Sequence, residues 1–253
     1  MVGNPEVIKK HLGILRRRDK HLSRAIKHAG VPAPRVVGPG FATLIRIIGD
    51  QQVSTAAGAA IWAKLERNAG GTVTAKTLLK MGEAGLRASG FSGQKTRYAL
   101  GLAEAVAAGT LDFEALEKAE DDVVRATLTA FKGIGSWTAD IYLMFGMGRP
   151  DVWPVGDLAL QLAVQILHGL KEKPTQKHLE SMGESWRPYR SSASLLLWRY
   201  YGATRVAAKA SKKTLDKKTP EKRTRAKAKK PAPGSAGKAR KTGPKKPKKI
   251  KKS

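Results

Sequence analysis

The sequence predicts an all-α fold for residues 1–208 of a 253-residue chain. Apolar residues recur there at intervals close to 3.6 residues, which is the period of an amphipathic helix. No convincing run alternates apolar and polar residues as a strand would. The breaks between the apolar runs are short enough to join packed helices. Each break contains glycine, and they fall at 30–40, 49–54, 70–71, 90–93 and 148–156.

The predicted helices follow one another along the chain, each with its own apolar spacing. In order, the spacings are formed by Leu12, Leu15, Leu22 and Ile26; by Phe41, Leu44, Ile45 and Ile48; by Ala57, Ala60, Ile61 and Leu65; by Tyr98, Leu102, Ala105 and Val106; and by Val124, Leu128 and Phe131. Further helices are predicted over 137–147, 158–167 and 187–201. A chain of this length can bury one good core or two small ones.

Composition excludes several classes of protein. The chain has no cysteine, which excludes structural disulfides, thiolate zinc sites and cysteine-ligated iron–sulfur clusters. No run approaches the roughly 18 consecutive apolar residues that span a bilayer, so a soluble protein without a membrane partner is expected. The N-terminus lacks the apolar segment of a secretory signal, and a transit peptide is the only targeting signal left open.

The basic charge is concentrated at the C-terminus. Residues 209–253 hold 20 of the 48 Lys and Arg residues and 2 of the 20 acidic residues, a net charge of +18 against +10 upstream. This segment has too few bulky apolar residues to offset the entropy cost of ordering its chain. A disordered Lys-rich tail is therefore predicted for residues 209–253. Its expected partner is nucleic acid, bound through the phosphates by counterion release. The alternative is a solvated tail that only keeps the protein soluble.

The segment FKGIGSWTAD, residues 131–140, predicts a helix-hairpin-helix. A helix opened by the acidic residues 120–122 is expected to run to Phe131 and to stop at Gly133, and a second to start near Ser136. Ile134 would fill the core while the surrounding amides point outward, where they can hold a phosphate oxygen. Any pair of antiparallel helices can use such a turn, so the Gly-x-Gly pattern alone is weak evidence. The DNA-contact candidates are Lys132, Gly133, Ile134, Gly135, Ser136 and Thr138.

Four ordered motifs carry a family resemblance. GIGSWTAD, followed after a Gly/Pro-rich loop by Asp157, resembles the helix-hairpin-helix, Gly/Pro, Asp superfamily of DNA glycosylases. Residues 47–65, 90–106 and 186–202 resemble its DNA-3-methyladenine glycosylase II type. The resemblance implies two helical subdomains with a DNA-binding cleft between them. The chain has no room for the extra N-terminal β domain of longer members.

The resemblance implies that Asp157 is the catalytic residue. Cleavage of the bond between sugar C1′ and a base develops oxocarbenium-like charge, which a nearby carboxylate stabilises. The residue pattern alone favours a different role, because aspartate is a preferred N-cap and Asp157 immediately precedes a predicted helix. The two roles are compatible, since one oxygen can accept a helix amide while the other faces the sugar.

Position 137 discriminates between reaction types. Bifunctional relatives have a lysine at the matching position, where its amine attacks C1′ and forms a Schiff base. This chain has Trp137, and Lys132 lies on the other side of the hairpin as a phosphate contact or a solvated charge. The sequence therefore predicts a monofunctional hydrolase that leaves an abasic site and needs no metal or organic cofactor.

A glycosylase must rotate its target nucleotide out of the duplex and stack the base against something. Trp137 and Trp198 match aromatic positions of the base pocket in the resembled family, and indole faces attract a cationic alkylated purine. Trp153, Tyr142 and Tyr189 are further candidates for that pocket. The alternative for each of these rings is ordinary core packing.

Flipping leaves a gap in the base stack that a side chain fills. The turn at residues 49–54 matches the loop that carries this wedge in the resembled family, with Gln52 as the wedge candidate and Gln51 as a further DNA-binding candidate. An ordinary polar turn before a Ser54 cap is the alternative. Lys95 and Arg97 are candidate phosphate contacts, with solvated helix charges as the alternative.

The expected activity is hydrolysis of the N-glycosidic bonds of alkylated purines, of the 3-methyladenine and 7-methylguanine type, in double-stranded DNA. A monomer is expected, in the cytoplasm with the nucleoid in a bacterium or in the nucleus of a eukaryote. The rival hypothesis is a non-catalytic architectural protein that binds DNA with the same hairpin and tail. The sequence does not rank the damaged bases, because the shape of the pocket decides among them.

Overall fold

The structure is a computed structural model that describes residues 2–218, and this part of the chain contains helices and no strand. A π-helical turn, Tyr142–Gly146, continues α9. The helices are α1 (Pro5–Arg18), α2 (Lys20–Ala29), α3 (Phe41–Asp50), α4 (Thr55–Asn68), α5 (Ala75–Ala88), α6 (Gly93–Ala107), α7 (Phe113–Lys118), α8 (Asp121–Thr129), α9 (Ser136–Ile141), α10 (Leu158–His168), α11 (Gln176–Glu184) and α12 (Arg190–Lys218). Within residues 2–218, no helix is both long enough and apolar enough to cross a bilayer.

The all-α prediction is confirmed, with three differences among the elements. The group from Leu12 to Ile26 belongs to two helices, because Asp19 ends α1 and caps α2 through the amides of His21 and Leu22. Helix α8 ends at Thr129 rather than at Phe131. The sequence spacing also missed three helices, α5, α7 and α11.

Two groups of helices lie within residues 2–207. In the first, α1 and α2 pack with the helices of the C-terminal third. The indole of Trp186 donates to Asp19 at 2.9 Å, and His21 on α2 stacks on His168 of α10 with 3.9 Å between ring centroids. In the second group, α3 is the central helix and contacts α4, α6 and α9. The loop before α10 connects the second group back to the first.

Helix α12 continues further than expected. It runs without a break from Arg190 to Lys218, so residues 209–218 are helical rather than part of a disordered tail. The Ala and Lys residues after Tyr201 favour this continuation, because both have high helix propensity. The rest of the predicted tail, residues 219–253, lies outside the described residues.

Candidate active site

Asp157 stands at the N-terminus of α10 and is half-buried. Its Oδ1 accepts the amide of Leu160 at 2.8 Å, so the N-cap is present. The same oxygen accepts the indole Nε1–H of Trp198 at 2.9 Å, and Oδ2 accepts that of Trp137, also at 2.9 Å. An ionised carboxylate offers about four acceptor positions, so three bonds hold it in place and leave acceptor capacity over.

The two indoles reach Asp157 from different parts of the chain. Trp137 lies in the first turn of α9, in the second helix group, whereas Trp198 lies on α12. Both rings are half-buried, so each has a surface that a base could contact. The sequence candidates Asp157, Trp137 and Trp198 are therefore brought together in one place, where the two helix groups meet.

The hairpin before Trp137 forms a tight turn. Gly133 has a φ of +89°, and Ile134 is buried with its amide donating to the carbonyl of Phe131 at 3.2 Å. The two helices are joined by an ion pair from Arg125 Nε to Asp140 Oδ1 at 2.8 Å. Burial raises the pKa of Asp140, and the bond from Arg125 opposes that rise. Residues Lys132, Gly135 and Ser136 are exposed on the outer side of the turn.

Gln51 connects the turn after α3 to this hairpin. Its Nε2 donates to the carbonyl of Gly133 at 3.1 Å and to Thr138 Oγ1 at 3.0 Å. The side chain of Thr138 is buried and its hydroxyl accepts from Gln51, so only its backbone amide stays a predicted DNA contact. Gln52 is exposed beside it, with a φ of +57°. Of the two glutamines, only Gln52 has a side chain that can extend away from the protein, because the side chain of Gln51 is hydrogen-bonded to the hairpin.

The side chain of Lys95 also bonds to this turn. Its ammonium donates to the carbonyl of Gly49 at 2.8 Å and to that of Gln51 at 2.6 Å. Burial lowers the pKa of Lys95, and the nearby carboxylate of Asp50 partly offsets that effect. The ammonium satisfies two carbonyls at the end of α3, and a phosphate contact by Lys95 stays a prediction.

The sequence was compared with models of known protein families, and one family matches the part of the chain that contains these residues. Residues 45–188 match the family described as "HhH-GPD superfamily base excision DNA repair protein". The chain belongs to the HhH-GPD superfamily. The matched range contains the turn after α3, the hairpin and Asp157, which are three of the features described above.

Relatives within the superfamily include DNA-3-methyladenine glycosylases. One from Schizosaccharomyces pombe, DNA-3-methyladenine glycosylase 1, is 32% identical over 162 residues, covering 63% of this chain and 71% of that protein. The Escherichia coli DNA-3-methyladenine glycosylase 2 is 28% identical over 190 residues, covering 69% and 64%. The match to YfjP of Bacillus subtilis, 36% identical over 124 residues, covers 49% of this chain and 43% of that protein.

Solved structures confirm the predicted glycosylase fold. The S. pombe 3-methyladenine DNA glycosylase in complex with abasic DNA superimposes with a TM-score of 0.69 at 30% identity, over 76% of this chain and 95% of that one. A DNA-3-methyladenine glycosidase from Bacillus halodurans gives a TM-score of 0.63 at 37% identity, over 74% and 86%.

Two of the proposed pocket rings are core residues in this HhH-GPD protein. Tyr142 is 0% exposed, and its hydroxyl accepts the amide of Gly40 at 2.9 Å. Burial raises the pKa of Tyr142 to about 12. Trp153 is 6% exposed and donates to the carbonyl of Leu179 at 2.7 Å. The prediction that Tyr142 lines the base pocket is wrong, because its side chain has no exposed surface, and Trp153 is held in the core by its bond to Leu179.

The ring of Tyr189 contacts α1. Its ring lies 4.4 Å from that of His11 and 5.6 Å from the guanidinium carbon of Arg18, so it packs against α1. No contact of Tyr189 with Asp157, Trp137 or Trp198 is seen, and its place in the base pocket stays a prediction. Desolvation at this junction lowers the pKa of His11, whose Nδ1 lies 2.9 Å from Ser192 Oγ.

Sequence reasoning missed Phe145, which joins the aromatic surface near Asp157. Its ring centroid lies 5.6 Å from that of Trp198, and the guanidinium carbon of Arg35 lies 5.0 Å from the Phe145 centroid. The amide of Val37 donates to the Phe145 carbonyl at 2.8 Å, which holds the loop between α2 and α3 against this ring. In sequence Phe145 stands in the apolar run IYLMF, which resembles core and gives no separate signal.

Among residues 2–210, whose side chains the structure describes, no group of three or more His, Asp or Glu side chains is arranged to hold a metal ion. The functional groups that the structure brings together at the site are one carboxylate, two indoles and a nearby phenyl ring.

Proposed function

We propose that this protein is a monofunctional DNA glycosylase that hydrolyses the N-glycosidic bond of alkylated purines in double-stranded DNA. The observation that carries the proposal is the carboxylate of Asp157, held between the indole N–H groups of Trp137 and Trp198. The names of the relatives point to the same class of substrate.

In the proposed reaction Asp157 acts by electrostatics. Positive charge develops on the deoxyribose as the purine departs, and a fixed anion beside the sugar stabilises that charge. The indole donors hold the carboxylate without neutralising it. An alkylated purine is already cationic and departs without a strong general acid. Water then attacks C1′ and leaves an abasic site.

The residues around Asp157 fit a flipped base. The half-buried faces of Trp137, Trp198 and Phe145 offer stacking surface, and such faces attract a cationic ring by roughly 0.5–2 kcal/mol. The exposed turn residue Gln52 is the proposed wedge that fills the gap in the duplex. The outward amides around Gly135 are proposed to hold a phosphate of the same strand.

The absence of an amine at position 137 supports hydrolysis without strand cleavage. Trp137 has no nucleophilic nitrogen, and its N–H is bonded to Asp157. We therefore propose that no Schiff base forms with C1′. Treatment of a reacting mixture with borohydride should trap no protein–DNA adduct.

The test of the proposed function is base release from duplex DNA that carries 3-methyladenine or 7-methylguanine. The wild-type protein should release methylpurine and leave alkali-sensitive sites. Asp157→Asn should slow release by about 100-fold or more, because a fixed charge in the transition state is lost. Its binding to an abasic duplex should change little, since asparagine still caps α10. No release by the wild type, or equal release by the variant, would overturn the proposal.

A further inference from the structure

The loop that leads to Asp157 is held by the first turn of α12. Ser191 is fully buried there, and its Oγ donates to the carbonyl of Arg149 at 2.7 Å and accepts the amide of Val152 at 2.9 Å. The amide of Ser191 donates to the carbonyl of Pro150 at 3.1 Å. Three contacts, to residues 149, 150 and 152, therefore fix the backbone of the loop to the helix.

The side chain of Asp151 adds an ion pair to these contacts. Its Oδ1 accepts Arg190 Nε at 2.8 Å and its Oδ2 accepts Arg190 Nη2 at 3.0 Å. Arg190 Nη2 also donates to the Asp151 carbonyl at 2.8 Å, and Arg187 Nη1 donates to Oδ2 at 3.0 Å. The side chains of Asp151 and Arg190 are only 21% and 13% exposed, so water screens this two-point pair weakly.

Asp151 also caps α12 from outside the helix. Its Oδ1 accepts the backbone amide of Arg190, the first residue of α12, at 3.2 Å. Amides in the first turn of a helix have no partner within the helix, so a carboxylate there satisfies one of them and suits the helix dipole. One side chain thus holds the loop, the guanidinium and the start of the helix together.

Helix α12 carries the other part of the site. Trp198 follows Ser191 by seven residues, or about two turns, so both lie on nearly the same face of the helix. Asp157 follows Asp151 by six residues along the loop. The loop and α12 are therefore in contact at two places, at the Asp151–Arg190 pair and where Trp198 Nε1 donates to Asp157 Oδ1.

We infer that Asp151, paired with Arg190, is a positioning residue that sets where the Asp157 carboxylate stands relative to Trp198. The inference rests on the proposed function of Asp157. In Asp151→Asn an amide replaces one oxygen of the carboxylate, and its N–H groups cannot accept from the guanidinium fork. The loop loses its two-point contact, and a misplacement of about 1 Å at a reacting centre costs roughly 100-fold in rate.

The experiment compares Asp151→Asn with Asp112→Asn. Asp112 is a matched control because it also caps a helix, accepting the amides of Glu114 and Ala115 on α7 at 2.8 and 3.2 Å. Each variant is assayed for single-turnover methylpurine release and for binding to an abasic duplex. The Nε1–H resonance of Trp198 is followed by NMR in the protein without DNA and is assigned with Trp198→Phe.

Asp151→Asn should release methylpurine about 10- to 100-fold more slowly, bind the abasic duplex within about threefold of wild type, and shift the Trp198 resonance. Asp112→Asn should leave the rate and the resonance unchanged. A wild-type rate for Asp151→Asn, or an unmoved Trp198 resonance, would overturn the inference. A wild type that releases no base would instead contradict the proposed function, while the resonance would still report on the positioning.

Arg190→Lys provides a second variant in case Asp151→Asn does not fold. Lysine keeps the positive charge but cannot form the two parallel bonds of a guanidinium. A slower release together with a shifted Trp198 resonance supports the inference. A wild-type rate and resonance in Arg190→Lys would show that charge alone suffices and that the fork does not position Asp157.

Discussion

At the hairpin, two glycines separated by one residue differ in their surroundings. Gly133 has a φ of +89°, and a Cβ there would lie 2.1 Å from the ring of Tyr98. Gly135 has a φ of −92°, and a Cβ there would meet nothing within 4 Å. Steric contact with Tyr98 therefore requires glycine at position 133. The fold imposes no such requirement at position 135.

Gly133→Ala should lower the free energy of unfolding by about 2–4 kcal/mol, which combines the cost of a left-handed backbone with that of overpacking. Gly135→Ala should change it by less than about 1 kcal/mol. Denaturant titration of both variants gives the comparison. Equal midpoints would mean that the ring of Tyr98 does not press on the hairpin.

The residue scale also shows how far aromatic residues can be interpreted from sequence. The family resemblance, and not their helical positions, assigned Trp137 and Trp198 to the base pocket, and the structure brings both rings to Asp157. Trp153 gave the same kind of signal but is buried against Gly183, where a Cβ would lie 2.5 Å from the indole. The space for the indole depends on Gly183, 30 residues further along the chain, so the residues around Trp153 in sequence do not predict its burial.

At the scale of elements, strong apolar spacing predicted helices well and weak spacing did not. Of the missed helices, α7 buries only Leu116 and α11 only Leu179 and Gly183, whereas α5 buries three residues but is interrupted by non-helical φ and ψ at Gly82. They begin instead at side-chain caps, Thr74, Asp112 and Thr175, each of which accepts an amide of the first turn. A search for caps would have found what the apolar period did not.

The junction of α2 and α10 contains a pair of stacked histidines. The rings of His21 and His168 lie 3.9 Å apart at an angle of 11°. Burial is the main cause that lowers the pKa of His168, and the other groups around it are His21, Arg24 and His178, which lower it, and Asp19, which raises it. His168 is therefore held neutral in the folded protein at a pH where it would be protonated in the unfolded chain.

This junction predicts a loss of stability in mild acid. The contribution of His168 is fully present above its unfolded pKa of about 6.5 and is lost as the pH falls through 6.5 toward the lowered folded pKa. His168→Phe keeps a flat ring on His21 and removes the titration. Its thermal midpoint should fall less than that of wild type between pH 7.5 and 5.5, measured without DNA. The pKa of His11 is lowered as well, so part of the fall should remain in both proteins. An equal fall would exclude His168 as a source of acid sensitivity.

At the scale of the whole molecule, positive charge is divided between a helical body and the basic C-terminal segment. Residues 219–253 hold 15 Lys and Arg residues and one acidic residue. A cation that neutralises a phosphate releases a condensed counterion, and each such contact steepens the plot of log affinity against log salt concentration by about 0.9. The contacts of Asp157 with Trp137, Leu160 and Trp198, by contrast, all lie within the helical body.

Deletion of residues 219–253 should therefore separate affinity from chemistry. The salt dependence of binding to undamaged duplex DNA should become shallower by several units of slope, because the contacts that release counterions are lost. Single-turnover methylpurine release at saturating protein should stay within about twofold, since Asp157 and both indoles are retained. A chain whose residues 219–253 are shuffled in order is the matched control and should bind with the wild-type slope, because phosphate neutralisation depends on charge and not on sequence. If the truncated and wild-type proteins gave the same slope, the basic segment would not contact DNA, and the body alone would account for its binding.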